Sequence, residues 1–302
     1  MWVIESQPPD SKHRKAIDAV AALNGPVVDV EGTFTDLDLG RGPFQPLTED
    51  QRCKLRGSIR DCLRSYFKSL CDQRHPAPRY EAFANRIERG DVVITFNYDV
   101  SLENELIRAH KFRVRNGYGS SFEADWDEPG SDVKLLKLHG SINWIGLVFG
   151  GATGGYAAFV NSLGPRPFVD NVDSVLPDYP SLVLDKTFRA GGVTPGSTTL
   201  VLPTYEKRFS IPTSVGEEWV PFYESLGSQA VEALQRSDRI IIGYSRPAAY
   251  RRSRALLLWN NNKQARVLVC CASAHKELRV QFEEHGFWRV AEAGTFADLF
   301  PQ

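Results

Sequence analysis

No apolar run in the 302-residue sequence is long enough for a membrane span or a signal peptide, and the opening MWVIESQPPDSKHRK is broken by charges and prolines. The expectation is a cytoplasmic chain that makes no membrane contact. A charge imbalance is also lacking: 36 Lys+Arg against 37 Asp+Glu leave a formal net charge of −1. That excludes a global electrostatic grip on nucleic acid or anionic lipid, and no basic stripe or reader motif predicts direct nucleic-acid binding. The five cysteines (Cys53, Cys62, Cys71, Cys270, Cys271) are odd in number and hold no C-x-x-C pair. The histidines lack a paired i, i+4 spacing, so no metal site is predicted. Adjacent Cys270 and Cys271 lie in an apolar run and read as buried strand thiols. Gly243-Tyr-Ser245-Arg-Pro247 lacks the second glycine of G-x-S-x-G, which sets a serine-hydrolase elbow aside.

What is present is an ordinary globular balance of 42% apolar and 24% charged residues, in a chain long enough for one large domain. Residues 11–90 read as a helical segment. A helix over 11–23 opens at Ser11, carries Ile17, Val20 and Ala21 on one face and stops at Asn24-Gly25. A loop follows through RGPFQP. Thr48 and Gln51 form a capping box, behind which Leu55, Ile59, Cys62, Leu63, Tyr66 and Leu70 give helical periodicity to about residue 72. A further helix is predicted over 78–89.

Then the pattern changes. DVVITFNYD (91–99) is short, β-branched and apolar on both faces before it turns polar, as a central parallel strand should be. VKLLKLHGS (133–141), TLVLPT, RIIIGYS and ARVLVCC are of the same kind. Helices are predicted over 100–110, 215–236 (Ser214 and Glu217 as capping box), 248–262, 275–285 and 295–300, with a short strand at 287–291. This alternation predicts an α/β fold with a Rossmann-like, doubly wound parallel sheet, its core formed by 91–145 and 199–302. Residues 146–198, with GGATGG, GPRPF and AGGVTPGS, read as a loop-rich insertion or lid within a single domain.

Ligands of such sheets bind outside the carboxyl ends of the strands. Three strand ends carry polar groups: Thr95, Asn97 and Asp99; His139, Gly140 and Ser141; Gly243 and Ser245. Singly, each has a plain structural reading. Asn and Asp after a strand make Asx-turns, Asp99 or Ser101 could cap the next helix, and His-Gly can close a turn. Together, in this order, they point to one crevice.

Here the sequence resembles a known family. TFNYD is similar to the T-x-N-x-D motif of sirtuin-fold (SIR2-like) proteins, KLHGS to their His-Gly motif and GYS to their phosphate and ribose turn. VITFNYD, LKLHGSINW, LPTYEK, IIIGYS and the ending GFWRVAEAGTFADLF resemble the SIR2-like domains of bacterial antiphage defence, over about residues 30–300. The resemblance implies NAD as substrate. It gives Asn97 the nicotinamide ribose and the attacking water, Asp99 the nicotinamide amide, and His139 the role of general base. Asn97 and His139 are thus the catalytic candidates. Thr95, Gly140 and Ser141 would line the same pocket, and Gly243, Tyr244 and Ser245 would approach the adenosine ribose and phosphates. The chemistry agrees. The nicotinamide bond breaks through an oxocarbenium-like state, which needs placed polar groups and a base of near-neutral pKa but no metal.

The sequence departs from the family in its phosphate half. The glycine-rich G-A-G-x-S turn is missing, so the chain reads as N-terminally truncated relative to the family; a late start codon, a truncated gene and a degenerate site all stay open. Cys271 stands where the family has an Asn, and a thiol cannot replace the two-sided hydrogen bonding of an amide. Tyr250 replaces an acidic residue, beside Arg246, Arg251, Arg252 and Arg254. The four-cysteine zinc module of the deacetylases is absent. Two functions are weighed. One is an NAD+ hydrolase acting as an antiphage abortive-infection effector. The other is a weak or inactive NAD- or ADP-ribose-binding module, acting as a homo-oligomer or through partner proteins of a defence assembly.

Overall fold

A computed structural model describes residues 12–24, 30–72, 78–119, 131–149, 168–169, 193–198, 200–202, 220–243, 262–270, 275–287 and 290–293. It is a mixed α/β structure containing small parallel sheets. No described helix is long and apolar enough to cross a membrane.

The N-terminal part is helical. Helix α1 spans Lys12–Asn24, α2 Val30–Leu39, α3 Glu49–Asp72 and α4 Pro78–Arg86. Helix α2 and the 3-10 turn at Gly42–Phe44 replace the loop expected between Asn24 and the capping box. The sequence signal was there: Phe34 and Leu37 share one helical face and pack with Val20, Phe44 and Ile59 in a core of their own. The capping box forms as expected. The Thr48 N–H donates to Gln51 Oε1 at 2.8 Å, and the Gln51 N–H donates to Thr48 Oγ1 at 3.3 Å.

Strand β1 (Val92–Thr95) pairs in parallel with β2 (Lys134–Lys137), joined through α5 (Ser101–Arg108) and the short α6 (Val114–Gly117). Leu135, Leu136 and Lys137 of β2 are buried. By contrast β1 is half-buried, with Val92 37% exposed; among the described residues β2 is its one neighbour. The both-faces burial expected of a central strand is therefore not met at β1. A second parallel sheet, in the order β6-β7-β8, comprises Arg239–Gly243, Arg266–Cys270 and Val290–Ala293. It follows α7 (Val220–Arg236), and α8 (His275–Glu284) links β7 to β8. Phe287, expected within the last strand, lies outside it and packs on Phe282 after the left-handed Gly286.

Of the stretch expected to be loop-rich, only residues 146–149, 168–169 and 193–198 are described, and these lie in strands. β3 (Trp144–Phe149) lies between β4 (Phe168–Val169) and β5 (Val193–Thr198) in an antiparallel sheet. The expected strand at TLVLPT is not formed over 200–202. Its carbonyls are taken by side chains rather than a strand: Arg60 Nε donates to Leu200 O at 2.9 Å and the Tyr98 hydroxyl donates to Val201 O at 2.7 Å. The predicted helices at 248–262 and 295–300 and the Ser214–Glu217 capping box lie outside the described residues, apart from residue 262.

The main core gathers β2, α5, α6, α7 and the residues after β2. Trp144 is fully buried at its centre, edge-on to Tyr118 at 5.1 Å and to Phe222 at 5.7 Å.

Candidate functional site

The site is built from the two segments that leave the carboxyl ends of β1 and β2. Parallel pairing sets both ends on one side, and the pairing continues briefly past the strands: the Leu138 N–H donates to Thr95 O at 3.0 Å and the Ile142 N–H to Tyr98 O at 3.0 Å. The 95–101 and 138–143 segments are thus bound directly to each other.

The first segment folds on its own short side chains. Thr95 Oγ1 accepts from the Asn97 N–H at 3.1 Å, and Asp99 Oδ1 accepts from the Ser101 N–H at 3.0 Å. These are the turns that Thr and Asp make after a strand. They leave Asn97 exposed and Asp99 half-buried, while Tyr98 turns inward against Phe67 at 5.7 Å. The alternation is that of a strand carried on beyond its ladder.

The second segment turns sharply at His139-Gly140. The Gly140 N–H donates to Lys137 O at 3.1 Å, and Gly140 has φ +80°, a conformation that a side chain disfavours. His139 is 3% exposed. Its ring lies against Phe96 at 4.9 Å and near Tyr98 at 5.9 Å, and its carbonyl accepts from the Val201 N–H at 2.9 Å. Ser141 is buried with its hydroxyl 3.5 Å from Tyr98 O.

Beneath the two segments lies a polar network that the motif reading missed. Lys137 and Glu103 are ion-paired at 2.6 Å, with side chains 1% and 2% exposed. The ammonium also donates to the carbonyls of Asp99 and, at 3.5 Å, of Tyr98. Glu103 accepts in addition from the Tyr118 hydroxyl at 3.1 Å, and Asn143 Nδ2 donates to that hydroxyl at 3.2 Å. Burial pushes the Glu103 carboxyl above its ordinary value against the pull of Lys137, and the Asp99 carboxylate adds to the rise. The signal in the sequence was a lysine in an otherwise apolar strand end, LLKLHG, which cannot be buried without an anionic partner.

Helix α3 closes the site from behind. Arg56, Arg60 and Arg64 recur every four residues along it. Arg64 Nε donates to Ile142 O at 3.0 Å and Arg60 Nε to Leu200 O, so two arginines hold the segments flanking His139. Arg56 pairs with Asp38 at 3.5 Å and Glu49 at 2.5 Å. Burial pushes the Arg60 guanidinium down to about 10, opposed by the Asp38 carboxylate.

No family model, curated protein or solved structure matches the chain.

Of the expected site residues, Thr95, Asn97, Asp99, His139, Gly140 and Ser141 are brought together. Gly243 ends β6, in register with Cys270. Tyr244, Ser245 and Cys271 lie outside the described residues, as do Tyr250 and the Arg246–Arg254 cluster. Among the described residues no group of three or more His, Cys, Asp and Glu could hold a metal ion. Chemically, the assembled half offers an exposed amide, a half-buried carboxylate and an imidazole walled by aromatic rings at the end of a parallel strand pair. That set can orient a polar ring substituent and accept a proton.

Proposed function

We propose that this chain is a SIR2-like NAD+ hydrolase acting in antiphage defence. In this reading the parallel strands belong to one Rossmann-like doubly wound sheet, with NAD as substrate across their carboxyl ends. The observation that supports the reading is the direct bonding of the 95–101 and 138–143 segments, the stretches that carry Asn97, Asp99 and His139, at the carboxyl ends of β1 and β2. Asn97 holds the nicotinamide ribose and the attacking water, Asp99 takes the nicotinamide amide, and His139 accepts a proton from the ribose hydroxyl or the water. Departure of nicotinamide leaves an oxocarbenium-like ribose that water captures, giving ADP-ribose. Gly243, Tyr244, Ser245 and Cys271 would face the adenosine and phosphate half.

The burial of His139 favours a second reading, in which the chain binds NAD or ADP-ribose without turnover and acts through partner proteins or further copies of itself. A base enclosed by Phe96 and Tyr98 must be uncovered before it meets a ribose hydroxyl. The test is to incubate the purified chain with NAD and measure released nicotinamide. The hydrolase reading expects release, reduced about 100- to 10,000-fold in His139→Ala, the usual contribution of a general base. Absence of release together with a rise in Tm on adding NAD or ADP-ribose selects the binding reading. No release and no shift at millimolar ligand contradict both.

A further inference from the structure

Lys137 carries more than a buried ion pair. An ammonium has three N–H donors, and here its contacts are Glu103 Oε1 at 2.6 Å, the Asp99 carbonyl and, at 3.5 Å, the Tyr98 carbonyl. The two carbonyls belong to the segment that bears Asn97 and Asp99, where β1 has ended and the sheet ladder no longer supplies regular donors. Tyr98 O is approached from three sides, by the Ile142 N–H, the Ser141 hydroxyl and the Lys137 ammonium. Lys137 itself stands two residues before His139 in the chain. One side chain thus ties the backbone between Asn97 and Asp99 to the strand that delivers His139.

A buried pair is weak grounds for a stabilising role, since well-packed neutral groups of like volume often serve as well. Fixing a loop is different, because apolar replacements do not donate to its carbonyls. We propose that Lys137 is a positioning residue: it holds the 97–99 backbone so that Asn97 and Asp99 stand in register with His139 for the NAD nicotinamide ribose. This rests on the reading of the site given above.

Three variants separate positioning from mere stability. Lys137→Met alone strands the Glu103 carboxylate and is expected to fold poorly. Lys137→Met/Glu103→Gln is neutral, keeps volume and leaves Tyr118 an acceptor, so its Tm is expected near that of the native chain. Its kcat for nicotinamide release should still fall about 100-fold with little change in KM, the loss that a misplacement of about 1 Å produces. Glu103→Gln, which keeps the ammonium on both carbonyls, should lower Tm without that loss. Amide hydrogen exchange supplies a readout that needs no ligand: residues 96–101 should exchange faster in the double variant while β2 keeps its protection. Native exchange over 96–101, or native kcat in a double variant of native Tm, overturns the positioning role. A native chain that releases no nicotinamide overturns the hydrolase reading instead, and the exchange of 96–101 alone then decides for or against Lys137.

Discussion

Asn97 and Gly140 show how differently two neighbouring site residues relate to the fold. The Asn97 side chain is exposed, and the bond that fixes its position is made by its backbone N–H to Thr95 Oγ1. Asn97→Ala is therefore expected to change unfolding stability by no more than about 0.5 kcal/mol, as at an ordinary surface site, while removing nicotinamide release. A urea midpoint that falls well beyond that would make Asn97 structural. Gly140 is the reverse case. Its φ of +80° closes the His139 turn, so Gly140→Ala should cost roughly 1–2 kcal/mol through left-handed strain alone and displace the His139 ring from its aromatic wall. An unchanged urea midpoint would show that the turn relaxes without the glycine. Gly119, at φ +74°, is a tighter constraint: an added Cβ would meet Leu136 Cδ2 at 2.5 Å.

At the scale of elements, α3 joins two functions that the sequence encodes on different faces. Its start carries the Thr48–Gln51 capping box and a cluster of Glu49, Arg52, Cys53 and Arg56. Burial works against the Glu49 charge, but hydrogen bonds from Arg56, Cys53 and Arg52 and the Arg56 charge hold its carboxyl below the ordinary 4.5. A carboxylate whose folded pKa is depressed stabilises the fold above the unfolded value, and the contribution is lost as pH falls through the folded one. Glu49→Gln should accordingly be less stable than the native chain at neutral pH, with the two denaturation midpoints converging on acidification below 4.5. A gap that is constant across that range would refute the assignment. The capping box was legible because it is local, two side chains three residues apart. Helix α2 was not read because its apolar face is short and polar residues intervene. The inward line of Arg56, Arg60 and Arg64 was overlooked because arginines beside an apolar stripe look solvated; here, besides Glu49 on the same helix, their acceptors lie in Asp38, Ile142 and Leu200, outside it. Likewise VITFNYD and KLHGS announced the two strand ends, whereas the Lys137–Glu103 pair could be found only once α5 was laid against β2.

For the molecule as a whole, stability and site share one core. Trp144, one residue beyond the 138–143 turn, packs on Tyr118 and on Phe222 of α7. Trp144→Ala is expected to cost about 3–5 kcal/mol, a large part of the roughly 5–15 kcal/mol of a typical domain, with the loss read from urea unfolding at unchanged m-value. A cost below about 1 kcal/mol would mean that this core does not hold the turn in place. Val92 of β1 and Ile241 of β6 stay partly open, at 37% and 39% exposure. The measurement that bears most directly on the central claim is a proton NMR time course of NAD with the purified chain, which sees binding as broadening of the nicotinamide resonances and cleavage as the growth of free nicotinamide. Free nicotinamide should grow with the native chain and fail to grow with Asn97→Ala at unchanged stability; NAD resonances that keep both width and intensity at excess protein would contradict the hydrolase reading.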